Sequence, residues 1–241
     1  MLIGALATDY DGTLAADGSV DAATMAALAR LRASGRKLLL VTGRELPQLR
    51  EVFPTVGVFD VVVAENGALI WRPDTDVAQL LAPPPPPSFI AALRRRGVAP
   101  LSLGRSIVAS SRENEGEVLA AIAEAGIDWR IIANKDSVMC LPAGVDKASG
   151  LTVALRDFGL AAVDVLGVGD AENDLAFLKV CGVSAAVANA LAAVKAQADI
   201  VTEGMAGAGV VWLIDRLLGA PEGFGELSRS AAGTASRQAA G

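Results

Sequence analysis

Two acidic residues near the start of the chain, Asp9 and Asp11, are close enough in sequence to bind one cation together. They follow an uncharged apolar run, residues 2–7, which predicts a strand buried on both faces. Two carboxylates at this spacing repel each other, and a hard cation such as Mg²⁺, which prefers carboxylate oxygens, removes that cost. The alternative is an ordinary turn at the end of the strand, because Asp and Gly are common turn residues.

Other predicted strands are also followed by polar residues or glycine. These are Thr42, Gly43 and Arg44 after residues 37–41, Asn66 after residues 60–64, and Asp170, Asn173 and Asp174 after residues 163–168. The carboxyl ends of parallel strands share one edge of a sheet, where ligands bind in open α/β folds. We therefore expect these groups to converge with Asp9 and Asp11 on one cleft, which independent turns would not explain.

The segments between these groups alternate between strand and helix. After the first strand, Ser19 or Asp21 can cap a helix with apolar residues at helical spacing, and Gly35 is placed to end it. A second buried strand follows, so this pair is expected to be parallel. The same alternation returns at Lys147, where another helix is predicted to start. Residues 1–82 and 142–220 are therefore predicted to form one discontinuous α/β core.

A different pattern interrupts this core. The proline run at residues 83–87 predicts a stiff spacer that is neither a helix nor a central strand. Helices and short strands predicted beyond it suggest a small α+β unit, so residues 83–141 are expected to be an inserted domain. Residues 221–241 are rich in Gly, Ser and Ala without periodicity, which predicts a flexible tail.

Composition excludes several classes of protein. The chain has no histidine, which rules out Ser-His-Asp triads, Cys-His pairs and the usual zinc hydrolases. A net charge of −6 argues against a general nucleic-acid binder. No apolar run reaches the ~18 residues of a membrane helix, and the N-terminus lacks the features of a signal peptide, so we expect a cytoplasmic protein without membrane partners. Cys140 and Cys181 are expected to be buried thiols.

Four ordered motifs surround the predicted cleft. They are Asp-Tyr-Asp-Gly-Thr-Leu at residues 9–14, Val-Thr-Gly-Arg at 41–44, the lone Lys147, and Gly-Val-Gly-Asp-Ala-Glu-Asn-Asp at 167–174. Together they resemble the motifs of the haloacid dehalogenase-like (HAD-like) hydrolases. The inserted unit resembles the type IIB (Cof-like) caps, and Glu-Asn-Gly-Ala at 65–68 is similar to a sequence typical of that subgroup. The resemblance covers about residues 1–218 and implies an α/β fold, with a Rossmann-like parallel-sheet core and an inserted α+β type IIB cap.

The resemblance implies a mechanism. Asp9 would attack phosphorus to give an aspartyl-phosphate, and Asp11 would protonate the leaving alkoxide and then deprotonate the hydrolytic water. Mg²⁺ would lie against the Asp9 carboxylate, the Asp11 backbone carbonyl and Asp170, with Asp174 supporting through water. A few carboxylates plus waters form the kind of ligand set that suits Mg²⁺.

The resemblance also implies which groups hold the phosphoryl oxygens, where charge builds up during transfer. These are the Thr42 hydroxyl, the Gly12 and Gly43 backbone N–H groups, and Lys147. Asn173 is expected to bond near Asp9 or Lys147, and Asn66 and Arg44 are expected on the substrate side, unless they brace a loop instead. The charged residues of the inserted unit are expected to be solvated, and no role is assigned to Arg105, Arg112, Glu113 or Lys135.

The expected function is that of a Mg²⁺-dependent phosphatase acting on a small phosphorylated metabolite, either a phosphosugar or a phosphoglycolate-like acid. The alternatives are a phosphosugar mutase of the same fold and a binding or regulatory module that has lost catalysis. A dinucleotide site is disfavoured because the third glycine position of the run starting at Gly167 is occupied by Glu172. The sequence predicts no oligomeric state.

Overall fold

The computed structural model describes residues 3–219, so the tail predicted at residues 221–241 lies outside the described residues. The strands of this range are β1 (Ala5–Thr8), β2 (Lys37–Val41), β3 (Val61–Ala64), β4 (Leu69–Arg72), β5 (Val77–Leu80), β6 (Ser102–Leu103), β7 (Val108–Ser111), β8 (Trp129–Asn134), β9 (Ser137–Pro142), β10 (Val165–Gly169), β11 (Val183–Ala186) and β12 (Ile200–Val201). The helices are α1 (Ala22–Ala33), α2 (Leu46–Val52), α3 (Pro87–Arg95), α4 (Glu115–Ala125), α5 (Lys147–Asp157), α6 (Leu175–Val180), α7 (Ala192–Lys195) and α8 (Ala206–Gly219).

The larger sheet has eight strands in the order β12-β11-β10-β1-β2-β3-β4-β5. Strands β12 to β3 in this order run parallel, and β4 and β5 add an antiparallel edge. The sequence on either side of residues 73–76 predicts a hairpin, and the structure contains it as the β4–β5 pair. The predicted α/β class with a mainly parallel sheet is therefore confirmed.

The central strands are buried from end to end, as their uncharged sequences predict. Every residue of β1, β3 and β10 is buried, and in β2 the residues after Lys37 are buried. Helices on both faces cover a parallel sheet, so its strands need no polar side. The first strand begins at Ala5, later than predicted, and the hydrogen bond from the Gly4 N–H to Asp164 O joins the preceding residue to the chain before β10.

Helix α1 begins where one of the two proposed caps predicts it to begin. The Asp21 side chain accepts a hydrogen bond from the Thr24 N–H at 2.7 Å, which lowers the pKa of Asp21 and satisfies a donor of the first turn. Gly35 follows the helix with φ of +85°, a conformation that glycine adopts without strain. The cap is therefore Asp21 and not Ser19.

The inserted unit has its own antiparallel sheet, in the order β6-β7-β9-β8. Helices α3 and α4 pack against it through an apolar cluster that includes Phe89, Leu93, Val118 and Trp129. The predicted α+β character is confirmed, but β6 was missed because its two residues are too few to show an alternating pattern. The predicted boundaries at residues 83 and 141 stay a prediction.

The proline run is extended over residues 83–86, but Pro87 is the first residue of α3. The expectation that none of the run is helical was therefore wrong at Pro87, because proline is tolerated in the first turn, where its missing N–H would have no partner. The basic residues at the other end of α3 are exposed, and Arg96 pairs with Glu117 and Glu124 of α4.

Two further predictions are corrected by the structure. The sequence of residues 171–180 predicts one helix, but the structure has a 3₁₀ turn, Glu172–Asp174, followed by α6. Cys140 is buried as predicted, whereas Cys181 is half-buried; both are free, and burial raises the pKa of each thiol to about 12. In the range 3–219, none of the helices combines the length and the apolar character needed to cross a membrane.

Candidate active site

The predicted site residues follow the carboxyl ends of adjacent strands of the large sheet. Asp9 follows β1, Thr42 follows β2, Asn66 lies just after β3, and Asp170 follows β10. Since β10, β1, β2 and β3 are neighbours in the sheet, these ends meet at one edge. Lys147 is the first residue of α5, and its side chain extends to the same edge of the sheet. The expected convergence on one cleft is confirmed.

A buried ammonium group joins two of the carboxylates. Lys147 Nζ lies 2.6 Å from Asp9 Oδ1 and 2.6 Å from Asp174 Oδ1, and the Lys147 side chain is only 1% exposed. Asp146 fixes the start of α5. Its side chain accepts a hydrogen bond from the Ser149 N–H, and the Ser149 hydroxyl accepts one from the Asp146 N–H. This capping box sets the direction in which Lys147 leaves the helix.

Small residues let α5 approach the sheet. A Cβ added to Gly150 of α5 would lie 2.6 Å from the Gly67 Cα, and one added to Gly67 would lie 1.8 Å from Asp146 O. Gly67 also has φ of +105°, which favours glycine. These two glycines therefore allow the close packing that brings Lys147 to Asp9.

The loop after β10 is folded around its own acidic residues. Asp174 Oδ2 accepts hydrogen bonds from the Asp170 N–H at 2.8 Å and the Ala171 N–H at 2.9 Å. The Asp170 carboxylate accepts from the Thr13 hydroxyl at 2.9 Å, which ties this loop to the one after β1. Backbone and side-chain donors therefore hold Asp170 and Asp174 in place.

The electrostatics of this cluster favour positive charge. Burial, followed by repulsion from Asp174, raises the pKa of Asp9 well above its usual range, against the opposing effect of Lys147. Burial also raises the pKa of Asp170. Burial alone would lower the pKa of Lys147, but Asp174 and Asp9 outweigh it and raise that pKa. Lys147 thus stays charged, and the carboxylates would be more stable with a further cation nearby.

Three of the carboxylates fit a hard metal ion. One oxygen each from Asp9, Asp170 and Asp174 lies within 4.8 Å of the others, and all three residues are buried. Oxygen donors of this kind suit a divalent cation such as Mg²⁺. The Asp11 carboxylate lies outside this group, so only its backbone could serve as the predicted ligand, and that role stays a prediction.

Asp11 is instead held by Arg44. Arg44 Nε donates to Asp11 Oδ2 and Nη2 to Asp11 Oδ1, both at 2.7 Å. The two parallel hydrogen bonds fix the plane of the carboxylate, as an arginine fork does. The Arg44 guanidinium also lies 5.4 Å from the centre of the Tyr10 ring. The expectation of Arg44 on the substrate side stays a prediction, and the contact that the structure gives it is with Asp11.

The turn after β3 is held in a left-handed backbone conformation. Glu65 and Asn66 have φ of +50° and +55°, which side chains seldom adopt. Asn66 Oδ1 accepts from Asn173 Nδ2 at 3.2 Å, while Asn66 Nδ2 is buried without a hydrogen-bond partner among residues 3–219. An unpaired buried donor next to the cluster is consistent with a polar ligand group.

A cavity of about 300 Å³ opens in front of Asp9, between the two sheets. From the core it is lined by Asp9, Asp11, Gly43, Arg44, Glu45, Gln48 and Asn173. From the inserted unit it is lined by Ser102, Ile107, Ala109, Asn134, Ser137 and Met139. Its volume is at the small end of the range for small-molecule sites.

Of the groups other than Lys147 that are predicted to hold the phosphoryl oxygens, Gly12 and Thr42 have hydrogen bonds within the protein. The Gly12 N–H donates to Ala15 O at 3.0 Å, and the Thr42 hydroxyl accepts from the Arg44 N–H at 3.1 Å. Gly43 lines the cavity. Roles for Gly12, Thr42 and Gly43 in holding phosphoryl oxygens stay predictions.

The sequence did not reveal three residues that shape the site. Lys135 is exposed, as expected, but its Nζ also lies 2.6 Å from Asp170 Oδ2, a contact that the sequence did not predict. Thr13 bonds Asp170, and the Glu65 carboxylate accepts from the Arg105 and Ser106 N–H groups at 3.0 and 2.7 Å. Thr13 belongs to the first motif and Glu65 to the Glu-Asn-Gly-Ala sequence at 65–68, whereas Lys135 belongs to no motif.

Comparisons with known proteins agree with this geometry. The sequence profile of the haloacid dehalogenase-like hydrolases matches residues 6–84 and 107–214. A phosphoglycolate phosphatase of Methanopyrus kandleri is 31% identical over 223 residues, which are 88% of this chain and 95% of that protein. Phosphoglycolate phosphatase 2 of Saccharolobus solfataricus is 30% identical over 223 residues, which are 88% of this chain and 91% of that protein.

The fold also matches a solved structure. A sugar phosphatase of HAD subclass IIB superposes with a TM-score of 0.72 at 20% identity, covering 88% of this chain and 97% of that one. At this identity the match speaks for the fold, including the inserted cap. The profile match and the relatives of about 30% identity show the family. The chain therefore belongs to the haloacid dehalogenase-like hydrolases, with the subclass IIB arrangement of core and cap.

Proposed function

We propose that the chain is a Mg²⁺-dependent phosphatase that hydrolyses the phosphate ester of a small metabolite through an aspartyl-phosphate. The observation that carries the proposal is the buried Lys147, which holds Asp9 at the floor of a small cavity. A carboxylate held in one orientation can attack a phosphorus atom placed in that cavity, since positioning is most of what phosphoryl transfer requires. The named phosphatases among the relatives support the same reaction class.

The first step joins Asp9 to the phosphoryl group. An oxygen of the Asp9 carboxylate forms a bond to phosphorus while the bond from phosphorus to the ester oxygen breaks. Asp11, in its protonated form, gives its proton to the leaving alkoxide, so the alcohol leaves neutral. In the structure Arg44 bonds both oxygens of the Asp11 carboxylate at the cavity wall, so one of these hydrogen bonds must open for Asp11 to carry the proton.

The second step returns the enzyme to its starting state. Asp11 takes a proton from a water molecule, the water oxygen bonds to phosphorus, and the bond from phosphorus to Asp9 breaks. Inorganic phosphate leaves, and Asp11 again carries the proton for the next cycle. Lys147 keeps Asp9 in the same orientation through both steps.

The metal ion supplies positive charge that lets an anionic nucleophile approach an anionic phosphate. We assign its binding to Asp9, Asp170 and Asp174, with the Asp11 backbone carbonyl as a further ligand. We assign the phosphoryl oxygens to the Gly43 N–H group, the Thr42 hydroxyl and Lys147, and to the Gly12 N–H if it leaves Ala15 O. Asn173 and Asn66 then form the polar wall beside them, with the free Asn66 Nδ2 as a donor.

The favoured substrate class is a small phosphorylated acid of the phosphoglycolate type. Two observations support it: the names of the relatives of about 30% identity, and the small volume of the cavity. A sugar phosphate is the second candidate because the structural relative of subclass IIB is a sugar phosphatase. A cytoplasmic location stays a prediction.

The test is phosphate release from 2-phosphoglycolate and from a hexose phosphate, with Mg²⁺ or with EDTA. We expect release with Mg²⁺ only and faster turnover of 2-phosphoglycolate. The Asp9→Asn variant should lose activity by on the order of 10³-fold or more, because it lacks the nucleophile. Near-normal turnover by that variant would show that the nucleophile is another residue.

The same assay separates the alternatives. A mutase would return the phosphoryl group to a sugar and yield an isomer without free phosphate. A binding module that has lost catalysis would release no phosphate from any member of a panel of phosphometabolites. The presence of Asp9, Asp11, Asp170 and Asp174 argues against this alternative.

A further inference from the structure

Lys135 brings a positive charge from the cap into the acidic cluster of the core. It lies in the turn between β8 and β9, and its backbone has φ of +50°. The Lys135 N–H donates to Glu172 Oε2 at 3.1 Å, and Arg112 donates to the Lys135 carbonyl at 3.0 Å. Because core and cap both hold its backbone, the side chain is directed at Asp170, with 2.6 Å between Nζ and Oδ2.

The two lysines of the cluster differ in their freedom to move. Lys147 is 1% exposed and bonds two carboxylates, so it belongs to the fixed frame of the site. The side chain of Lys135 is 43% exposed and bonds Asp170. An ammonium group on a flexible stem at the solvent side of a cluster can change partner without unfolding its surroundings.

A bound divalent cation would weaken the attraction that holds Lys135. Asp170 is one of the three residues whose oxygens can bind a metal ion. When its charge is shared with a divalent cation, the ammonium group next to it is repelled by that cation. Lys135 and the metal ion therefore compete for Asp170.

The released ammonium group would stand beside the cavity. Asn134 and Ser137, on either side of the turn that carries Lys135, both line it. The other cap residues at the cavity have neutral side chains: Ser102, Ile107, Ala109 and Met139. An ammonium group at this wall would attract a negative charge on the part of a bound substrate that lies next to Asn134 and Ser137.

We propose that Lys135 selects substrates with a second negative charge, such as a carboxylate, and that it rests on Asp170 while the metal ion is absent. This inference rests on the proposed phosphatase function. It adds that the cap recognises the second negative charge of the substrate. Lys135 is a binding residue in this scheme and takes no part in proton transfer.

The first test compares two substrates that differ in that feature. 2-Phosphoglycolate and ethyl phosphate share the phosphoryl-oxygen-methylene unit, and only the first has a carboxylate at the other end. For Lys135→Met, we expect the ratio of kcat/KM for 2-phosphoglycolate to that for ethyl phosphate to fall at least tenfold, mainly through KM. The matched control is Arg130→Met, which removes an exposed positive charge from β8 of the same hairpin and should keep the wild-type ratio.

The second test needs no turnover. Mn²⁺ binding to the substrate-free protein, followed by electron paramagnetic resonance, should be at least threefold tighter in Lys135→Met than in the wild type and unchanged in Arg130→Met. Equal or weaker Mn²⁺ binding would overturn the competition for Asp170. An unchanged substrate ratio would overturn the selectivity, whereas a wild-type protein that releases phosphate from neither ester contradicts the proposed function itself.

Discussion

At the scale of single residues, the fixed point of the site is the ammonium group of Lys147. It is surrounded by protein and contacts carboxylates from the loops after β1 and β10. Neither carboxylate has enough water around it to compensate for the loss of this charge. Lys147 therefore supports both the stability of the fold and the orientation of Asp9, the proposed nucleophile.

This predicts a large cost for Lys147→Met. In EDTA, where no metal ion can compensate, we expect a loss of about 3–5 kcal/mol in the free energy of unfolding, because two buried carboxylates lose their partner. Urea unfolding measures it. Arg30→Met, which breaks the exposed pair with Asp215, is the matched control and should cost less than about 1 kcal/mol.

The pH dependence of the difference in unfolding free energy between wild type and Lys147→Met tests whether the charge of Lys147 causes it. The pKa of Lys147 is raised in the folded protein, so its contribution is complete below the unfolded pKa of about 10.4 and is lost as the pH rises through the folded pKa. The gap between wild type and Lys147→Met should stay constant from neutral pH to about pH 10 and narrow above it. If this stability difference disappeared only when the pH was lowered, the titration of a group other than Lys147 would be its cause.

Residue types and spacing were enough to predict which side chains lie at the cleft, but not how they pair. Asp9, Asp170 and Asp174 were predicted from strand ends that share one edge, whereas Lys147, at the start of a helix, was predicted through the family resemblance. The fork between Arg44 and Asp11 depends on side-chain directions that no spacing encodes. Lys135 was missed because an isolated lysine in a polar turn looks like any solvated charge.

At the scale of elements, the turn after β3 connects the edge of the sheet that carries the acidic cluster to the cap. Glu65 and Asn66 are adjacent, yet the Glu65 carboxylate binds the cap segment at Arg105 and Ser106 while Asn66 bonds Asn173. Glu65 is fully buried, and a Cβ at Gly104 would lie 2.9 Å from its Oε2. The left-handed backbone of this turn sends the two side chains to the two parts of the molecule.

Glu65→Ala should loosen the cap at this point. The Arg105 and Ser106 amides would lose hydrogen bonds to a charged acceptor, each worth about 1.5–3 kcal/mol. We expect the Ser106 amide to exchange with deuterium on the order of tenfold faster or more, as followed by mass spectrometry or NMR. Glu65→Gln, which keeps one acceptor oxygen, should give an intermediate rate.

The control for this effect is Glu113→Ala, an exposed acidic residue of the cap. It should leave the exchange of Ser106 unchanged. Equal exchange in Glu65→Ala and wild type would mean that the cap segment is held by other contacts, such as the Ser106 hydroxyl on Ala82 O.

Strong patterns predicted elements, and weak ones did not. Buried strands such as β2 and β3 were found because their apolar runs are continuous. The two-residue β6 has no pattern to read. The 3₁₀ turn before α6 forms because Asp174 bonds two backbone N–H groups, a local contact that periodicity does not report.

At the scale of the whole molecule, the acidic cluster sits between parts of the chain that are distant in sequence. A ligand that binds these parts together stabilises the folded state, because the unfolded chain lacks the assembled site. The three carboxylates come from the loops after β1 and β10. Metal binding is therefore expected to be visible in global stability.

We expect Mg²⁺ to raise the melting temperature relative to EDTA. At a concentration 100 times Kd, binding adds about 2.7 kcal/mol, which for a domain of this size corresponds to roughly 5–11 °C. Thermal unfolding by circular dichroism measures the shift. Asp170→Asn should lose most of it, and an equal shift in that variant would place the cation elsewhere.

The pairing of β1 has a consequence for synthesis on the ribosome. Its neighbours in the sheet are β2 and β10, and Asp9 meets Lys147 138 residues later in the chain. While the first half of the chain emerges, β1 has one open edge and Asp9 has no counter-ion. β10 can pair with β1 only after the whole cap has been synthesised. Strands β6 to β9 of the cap pair with one another, so the cap can fold before the core is complete.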